Sequence, residues 1–181
     1  YHSLPFLIVL QEKSNFIKSR QKIHFIGIGG VSMSALAKHL KAHGYHVTGS
    51  DICTDLKDEL TSLGIEFFAY HHQKNVKNST AVIYSSAISE DNVELESARK
   101  SGILVIKRSV LLGMIAKQYR YSIAISGSHG KTTATSMLAH IFKCANMQPT
   151  IFLGGVDKTF NNYSLGQKEY IIMEACEYKK N

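Results

Sequence analysis

One local pattern constrains this chain more than any other: an apolar segment leads into a glycine-rich loop, and the loop leads into a helical segment. The pattern occurs twice, as FIGIGGVSMS at residues 25–34 and as SGSHGKTT at residues 126–133. A loop of this kind directs backbone N–H groups and the positive end of the helix dipole toward an anion. Two copies in 181 residues therefore indicate two phosphate-binding sites.

Apolar segments of strand length alternate with segments of helical periodicity along most of the chain. Strands are predicted at residues 22–27, 45–50, 65–70, 80–86 and 103–107, and helices at 31–43, 54–63, 91–102 and 109–119. Gly44 and Gly64 are expected to end the first two helices, and Thr54 to cap the second. A second series follows, with strands at 121–126, 150–155 and 169–175 and a helix at 131–146. Alternation of this kind is typical of a parallel sheet with helices on both faces.

The sequence therefore predicts an α/β fold, with a Rossmann-like parallel-sheet N-terminal domain followed by the start of a P-loop ATPase α/β domain. Residues 1–21 are expected to be an N-terminal extension of unknown role. Residues 22–119 are expected to form the first domain and residues 120–181 an incomplete second one. The boundary is predicted near residues 117–121, and the chain is expected to be a fragment at both ends.

Composition narrows the classes of protein to consider. The formal net charge of +7 comes from scattered basic residues, so a generally cationic surface is expected and a nucleic-acid-binding face is not. The three cysteines lie far apart, which predicts neither a disulfide framework nor a zinc site and fits a reducing cytoplasm. The longest apolar run, residues 4–10, is too short to span a membrane.

The second loop carries the side chains that nucleotide phosphates require. Lys131 can reach terminal phosphate oxygens, and the hydroxyl of Thr132 can ligate Mg²⁺. The full Walker pattern needs glycine at position 125, where isoleucine stands, so this loop is a shorter variant. Glu174 ends a later apolar strand, where a carboxylate can hold Mg²⁺ opposite a phosphate loop, and Glu177 is a second candidate.

The first loop leaves its ligand open. Gly27, Gly29 and Gly30 fit a phosphate-binding turn, but Ser32 replaces the third glycine of the dinucleotide fingerprint. Asp51 ends the second strand, where dinucleotide-binding enzymes place the acid that contacts the ribose. An NAD or FAD site joined to a P-loop module is therefore one interpretation of the chain.

Several short motifs, taken in order, resemble the Mur ligase family. They are IHFIGIGGVSMSALA from residue 23, GSD at 49–51, HHQKN at 71–75, SSAI at 85–88, SGSHGKTT, the glycine pair of PTIFLGG, and EACEY at 174–178. The resemblance runs from about residue 22 to residue 181 and is closest to the members that add L-alanine. It implies a UDP-sugar-binding domain at 22–119, a central ATP-binding domain from 120, and a C-terminal domain beyond this chain.

The activity implied by this resemblance is that of an ATP-dependent acid–amino-acid ligase of peptidoglycan synthesis in the cytoplasm. In the family reaction, the γ-phosphate of ATP passes to the lactyl carboxylate of UDP-N-acetylmuramate, and the amine of L-alanine then displaces phosphate from the acyl phosphate. The implied cofactors are ATP and Mg²⁺, and the implied partners are these small molecules, with neither nucleic acid nor a membrane expected. The fragment itself is expected to be inactive.

The resemblance also implies which residues form the two sites. The UDP-sugar site is expected to comprise Gly27, Gly29, Gly30, Val31, Ser32, Asp51, His71, Ser85 and Ser86. The ATP site is expected to comprise Gly127, Ser128, His129, Gly130, Lys131, Thr132 and Thr133. Lys131 and Glu174 are the catalytic candidates, and Thr132 and Glu174 are the candidate metal ligands.

Some interpretations remain open beside this one. Within the same family, the murein-peptide recycling ligase is the nearest alternative, and a non-catalytic nucleotide-binding remnant is another. The histidines His39, His43 and His46, near the end of the first long helix, are predicted to face solvent.

Overall fold

The computed structural model describes residues 21–175, so residues 1–20 of the predicted extension and the candidate carboxylate Glu177 lie outside the described residues. The strands are β1 (Lys22–Ile26), β2 (His46–Ser50), β3 (Glu66–Phe68), β4 (Ala81–Tyr84), β5 (Leu104–Lys107), β6 (Tyr121–Ile125), β7 (Thr150–Asp157), β8 (Asn161–Ser164) and β9 (Tyr170–Glu174). The helices are α1 (Val31–Ala42), α2 (Lys57–Ser62), α3 (Val93–Lys100), α4 (Arg108–Ala116) and α5 (Lys131–Cys144).

Strands β1 to β5 form a parallel sheet in the order β3-β2-β1-β4-β5. Ile23 of β1 pairs with Val47 of β2 on one side and with Ala81 of β4 on the other. The strand order therefore reverses between β1 and β4, and ligands of open parallel sheets bind at the carboxyl ends of the strands at such a point. The predicted Rossmann-like sheet is confirmed, and the first loop follows β1 at this point.

Both faces of this sheet are buried, and alternate residues of β4 show how. Ala81 and Ile83 belong to the buried cluster that includes Leu36 of α1 and Leu111 of α4. Their neighbours Val82 and Tyr84 belong to a second cluster that includes Leu95 and Ala98 of α3. Side chains alternate between the two faces of a strand, so helices cover the sheet on both sides, as the near-continuous apolar strands predicted.

The other four strands form a second sheet in the order β6-β9-β7-β8. Strands β6, β9 and β7 are parallel, whereas β8 is antiparallel to β7 and forms a hairpin with it. The parallel strands were predicted, but β8 was not, because its sequence NNYS lacks the apolar alternation of a half-buried strand.

The hairpin of β7 and β8 packs against α1, the helix that follows the first loop. Phe152 of β7 and Ile171 of β9 are buried in the same apolar cluster as Leu36 and Leu40 of α1. The two sheets therefore share one core in the described part of the chain.

Helix boundaries follow local chemistry at most positions. Gly44 and Gly64 have φ values of 86° and 75° and end α1 and α2, as predicted, because glycine adopts this conformation without steric cost. Thr54 was expected to cap α2, but Leu56 occupies the cap position, so this prediction was wrong. Within residues 21–175 we find no helix long and apolar enough to cross a bilayer.

Candidate functional site

The first loop, residues 27–32, lies where the strand order of the first sheet reverses. Gly27 directly follows β1 and has a φ of 81°, a left-handed conformation that favours glycine. A side-chain carbon added at Gly27 would lie 3.1 Å from Ile88 Cδ1 and 4.0 Å from Ser85 Oγ. The segment after β4 therefore contacts the loop after β1, and Ser85 lies beside the loop as the predicted site requires.

Backbone N–H groups in the first half of this loop are hydrogen-bonded within the protein. Gly27 N and Ile28 N both donate to Ser50 O, at 2.8 and 3.1 Å. Gly29 N donates to Asp51 Oδ2 at 2.8 Å, and Cys53 N donates to Asp51 Oδ1 at 2.9 Å. Asp51 therefore stabilises the loop itself. An anion would meet the amino end of α1, where no side chain caps the helix.

The remaining predicted residues of the first site differ in exposure. Gly30 and Ser86 are exposed, whereas Val31, Ser32 and His71 are partly buried. His71 follows β3 and is linked to the loop through Ser50, whose Oγ lies 3.0 Å from His71 Nδ1. The structure thus brings residues from the carboxyl ends of β1, β2, β3 and β4 to one edge of the sheet.

Sequence reasoning missed the residue that joins most of these groups, Glu94 in the first turn of α3. Its side chain is fully buried, and Oε2 accepts hydrogen bonds from Ser50 Oγ at 2.5 Å and His71 Nδ1 at 2.9 Å. Its other oxygen, Oε1, accepts from Asn75 Nδ2 at 2.7 Å. Burial alone would raise the pKa of Glu94, but hydrogen bonds from Ser50 and His71 and the proximity of His24, whose Nε2 lies 3.6 Å from Oε1, lower it to about 2.

The second loop, residues 127–133, connects β6 to α5 and is more exposed to solvent than the first loop. Residues 126–130 are all exposed, and Gly130 has a φ of 71° immediately before the first residue of α5. Lys131 Nζ donates to Gly127 O at 2.5 Å, so the lysine side chain folds back over the loop. Within residues 21–175 the backbone N–H groups of Ser128, His129 and Gly130 have no hydrogen-bond acceptor in the protein. These groups are suited to bind phosphate oxygens.

Two adjacent glycines of β7 bring the candidate metal ligands toward the second loop. Glu174 ends β9 and pairs in register with Ile125, the last residue of β6 before the loop. Its Oε1 accepts from Gly154 N at 2.6 Å, and a side-chain carbon at Gly154 would lie 2.5 Å from Oε2. A side-chain carbon at Gly155 would lie 3.0 Å from Thr132 Cγ2. Only glycines leave this space to the two ligands.

The donor set at this point fits Mg²⁺, which prefers carboxylate and hydroxyl oxygens and retains several waters. Thr132 and Glu174 supply one oxygen-bearing side chain each. Among residues 21–175 there is no group of three or more His, Cys, Asp or Glu side chains that could hold a metal ion. A Mg²⁺ ion held by Thr132 and Glu174 would therefore need further oxygen ligands, such as the phosphates of a nucleotide.

A polar contact joins the hairpin of β7 and β8 to the first turn of α1. Asn162 of β8 is buried, and its Nδ2 donates to Val31 O at 2.7 Å and to Ser34 Oγ at 2.8 Å. Its Oδ1 accepts from Lys38 Nζ at 2.7 Å, and Lys38 also pairs with Glu59 at 2.6 Å. The hairpin that carries Gly154 and Gly155 thus contacts the helix that begins at the first loop.

The same contact overturns one prediction about histidines. His46 is exposed as expected and His43 is partly buried, but His39 is buried, with its Nδ1 3.1 Å from Tyr163 Oη. Burial lowers the pKa of His39 to about 3, with smaller contributions from His43 and Lys168. The prediction was wrong because β8 covers a face of α1 that periodicity alone assigned to solvent.

Comparison with known proteins shows which family and which named proteins this chain is similar to. Residues 22–120 match the Mur ligase family, catalytic domain. The UDP-N-acetylmuramate–L-alanine ligase of Clostridium beijerinckii is 48% identical over 170 residues, which cover 92% of this chain and 37% of that protein. The corresponding ligase of Clostridium tetani is 45% identical over 169 residues. This chain therefore spans little more than a third of the length of these relatives.

Solved structures show the same likeness. The UDP-N-acetylmuramate-alanine ligase of Thermotoga maritima superposes with a TM-score of 0.75 at 36% identity, covering 84% of this chain and 36% of that one. The UDP-N-acetylmuramate:L-alanyl-gamma-D-glutamyl-meso-diaminopimelate ligase of Neisseria meningitides gives a TM-score of 0.80 at 26% identity, covering 88% of this chain and 54% of that one.

Proposed function

Because this chain belongs to the Mur ligase family, we propose that its first loop binds a UDP-sugar and its second loop binds Mg-ATP within an ATP-dependent ligase. We take the sugar nucleotide to be UDP-N-acetylmuramate and the amino acid to be L-alanine, as in the names of the relatives that are 45–48% identical. The observation that carries this proposal is the presence of two different phosphate-type loops at the carboxyl ends of two parallel strand sets.

In this proposal residues 22–119 form the UDP-sugar-binding domain and residues 120–181 belong to the ATP-binding domain. The UDP-sugar diphosphate lies at the amino end of α1, near Val31 and Ser32, where the helix dipole favours negative charge. Ser85 and His71 approach from the ends of β4 and β3. A cytoplasmic location belongs to the same proposal.

The second loop would bind the triphosphate and stabilise the charge that moves during phosphoryl transfer. The N–H groups of Ser128, His129 and Gly130 would donate hydrogen bonds to phosphate oxygens, and Lys131 would follow the γ-phosphate as it passes to the lactyl carboxylate. Thr132 and Glu174 would hold Mg²⁺, which supplies neutralisation of phosphate charge when bound. The amine of L-alanine then attacks the acyl carbon, and the carbon–oxygen bond to phosphate breaks.

The family match, rather than the geometry of Asp51, favours a UDP-sugar over NAD at the first loop. In dinucleotide-binding folds the acid at this position accepts hydrogen bonds from the ribose. Here each carboxylate oxygen of Asp51 accepts one backbone N–H group, from Gly29 and from Cys53, so Asp51 also has a structural role in the loop.

A second candidate activity is the addition of a peptide in place of L-alanine. The ligase of Neisseria meningitides whose name specifies a peptide superposes with the higher TM-score, 0.80 against 0.75 for the alanine ligase of Thermotoga maritima. The identities have the opposite order, 26% against 36%, and the alanine ligase of Clostridium beijerinckii reaches 48%. Sequence therefore supports L-alanine, since the backbone fold is common to both.

Ligand-induced thermal stabilisation of the 181-residue chain tests the nucleotide assignments. We expect UDP-N-acetylmuramate and UDP to raise the Tm, and Mg-ATP to raise it independently, whereas NAD should have no effect. Gly29→Val should abolish the response to UDP and leave the response to Mg-ATP. Stabilisation by NAD without stabilisation by UDP would contradict the proposal.

A chimera tests whether these residues support the ligase reaction with L-alanine. Residues 22–181 would replace the aligned part of the Clostridium beijerinckii ligase, and phosphate release would be measured with UDP-N-acetylmuramate and Mg-ATP. We expect turnover with L-alanine and little with L-alanyl-gamma-D-glutamyl-meso-diaminopimelate, the peptide in the name of the Neisseria meningitides ligase. The isolated chain should show no alanine-dependent phosphate release, since the relatives are nearly three times as long.

A further inference from the structure

Glu94 is the most unusual charged group in the described part of the chain. It is fully buried, yet its carboxylate is ionised above a pKa of about 2, because burial is outweighed by hydrogen bonds from neighbouring donors. A buried carboxylate requires donors at each oxygen and a nearby positive charge, or it strongly destabilises the fold. The hydrogen-bond partners of Glu94 therefore indicate its role in the structure.

Both oxygens of the Glu94 carboxylate accept hydrogen bonds from residues in the described part of the chain. Oε2 accepts from Ser50 Oγ and His71 Nδ1, and Oε1 accepts from Asn75 Nδ2 and, at 3.3 Å, from His72 N. Among residues 21–175 the groups within 4 Å of these oxygens that can become cationic are His24 and His71. His24 is fully buried and burial lowers its pKa, whereas His71 is 22% exposed.

These contacts fix which nitrogen of His71 carries a proton. A carboxylate oxygen can only accept, so His71 Nδ1 must donate to Glu94 Oε2. The Ser50 hydroxyl has one hydrogen, and it points to the same carboxylate oxygen. Nδ1–H is thereby fixed in both the neutral and the charged ring, and Nε2 is the nitrogen left for a ligand.

The same carboxylate acts on the first loop through Ser50. Ser50 Oγ donates to Glu94, and Ser50 O accepts the N–H groups of Gly27 and Ile28. A change at Glu94 therefore affects the position of the end of β2, and with it the backbone of the loop.

We propose that Glu94 is a positioning residue of the nucleotide-sugar site: it fixes His71 with Nδ1 as donor and holds Ser50 under the first loop, so that Nε2 of His71 is presented to a bound nucleoside diphosphate. This inference rests on the proposed function for the ligand and on the hydrogen-bond pattern for the positioning role. Carboxylates that orient a histidine through its second nitrogen act in the same way at metal and catalytic sites.

The first experiment measures the proton on His71 directly, using two-bond ¹H–¹⁵N spectra of the free 181-residue chain. In the wild type we expect Nδ1 to carry a proton. In Glu94→Gln we expect the amide oxygen at the Oε1 position, because the backbone N–H of His72 there can only donate, and the amide nitrogen at the Oε2 position, where Ser50 Oγ and His71 Nδ1 can both accept. Nδ1 of His71 should then become an acceptor, and the proton should move to Nε2. A wild-type ring with bare Nδ1, or an unchanged spectrum in Glu94→Gln, would overturn the inference.

The second experiment measures the Kd for UDP by calorimetry. Glu94→Gln should weaken UDP binding on the order of tenfold, as expected for loss of one charge-assisted hydrogen-bond arrangement. In a His71→Ala background the same substitution should have at most a twofold effect, which is the part that acts through Ser50, because coupled residues are not additive. Full additivity would show that Glu94 does not act through His71.

A matched control separates positioning from a general loss of stability. Asn75→Ala removes a donor to Oε1 and leaves Ser50 and His71 on Oε2. It should lower the Tm to a similar extent as Glu94→Gln, with a much smaller effect on UDP binding, and ADP binding at the second loop should be unchanged in both. Equal losses of UDP affinity in the two variants would contradict the positioning role. If the wild type fails to bind UDP, the proposed function fails, and the ring spectra still decide the role of Glu94.

Discussion

In the first loop the N–H groups of Gly27, Ile28 and Gly29 donate to residues at the end of β2, whereas among residues 21–175 those of Ser128, His129 and Gly130 in the second loop have no acceptor. Both loops follow a parallel strand and precede a helix, so their difference does not come from topology. It comes from the carboxylate of Asp51 and the carbonyl of Ser50, for which the second loop has no counterpart within the described residues. A glycine loop in this context is therefore either closed by its own sheet or left open for a ligand.

The difference predicts how each site acts. The first loop is fixed before any ligand binds, so selectivity there depends on the side chains around it, such as His71 and Ser85. In the proposed function, the second loop offers backbone donors and a lysine to a phosphoryl group whose charge changes during the reaction. Binding at the first loop and charge stabilisation at the second should therefore respond to different substitutions.

The largest expected effect is that of Lys131→Ala, measured in the chimera. Removal of one preorganised group at a developing charge lowers turnover on the order of 10²–10³-fold, and we expect a loss of this size with UDP-sugar binding unchanged. Lys143→Ala is the control, since Lys143 lies near the other end of α5, 5.4 Å from the ring of Phe160. Near-normal turnover in Lys131→Ala would show that the second loop is not a phosphate-transfer site.

The next largest effect is expected for Asn162. Its side chain joins the hairpin of β7 and β8, which lies beside the second loop, to α1, the helix that follows the first loop. Asn162→Ala removes the partner of Val31 O, Ser34 Oγ and Lys38 in a buried position, and we expect a loss of about 3 kcal/mol in the free energy of unfolding. Asn161→Gly should cost little, because Asn161 is exposed and its φ of 56° suits glycine.

The shape of the urea transition adds a second readout for Asn162. If the two sheets unfold as one unit through this contact, the wild type shows a single transition and Asn162→Ala shows two. A single transition in the variant, with stability close to wild type, would mean that the apolar core alone joins the sheets.

The sequence predicted the first sheet and both loops well because these depend on local patterns. Apolar strands, glycines at helix ends and the loop sequences are each set by a few neighbouring residues. The order of motifs also indicated the family, which implied that His71, Ser85 and Glu174 belong to sites. In the structure Ser85 follows β4 and Glu174 ends β9, whereas His71 lies three residues after β3 and contacts Ser50.

The missed features depend on contacts between distant residues. Strand β8 is polar, and its pairing with β7 and packing on α1 decide its structure. His39 is buried by that strand, 124 residues away in sequence. Glu94 follows the cap residue Asn92, which predicts only a helix start, and nothing local indicates that Ser50 and His71 converge on its carboxylate.

The contact between α1 and the hairpin should also be sensitive to pH through His39. Its pKa is about 3 in the folded chain and about 6.5 when exposed, so the unfolded state binds a proton in this window and the folded state does not. Stability therefore falls as the pH drops below 6.5, by about 2 kcal/mol at pH 5. His39→Leu should abolish this part of the dependence, measured as the difference between urea titrations at pH 7.5 and pH 5. Equal pH dependence in both proteins would show that His39 is protonated in the folded state.

The smallest effects are expected for alanine substitutions of glycines in the two loops. The free energy of unfolding of each single variant would be measured by urea titration. A side-chain carbon at Gly29 would lie 2.9 Å from Asp51 Oδ2 and 3.0 Å from Cys53 O, so Gly29→Ala must displace the carboxylate and should cost about 1.5 kcal/mol. At Gly130 there is open space, but the φ of 71° disfavours alanine, and about 1 kcal/mol is expected from the backbone alone. Gly30→Ala meets nothing closer than 3.5 Å and should cost about 0.5 kcal/mol as a poorer helix cap. Asp51→Ala would remove one of the two obstacles at Gly29 and leave the carbonyl of Cys53, so the cost of Gly29→Ala should shrink without vanishing in that background, while the cost at Gly130 stays the same. If Gly29→Ala costs as much without Asp51 as with it, the first loop is not closed by that carboxylate and the contrast between the loops has another cause.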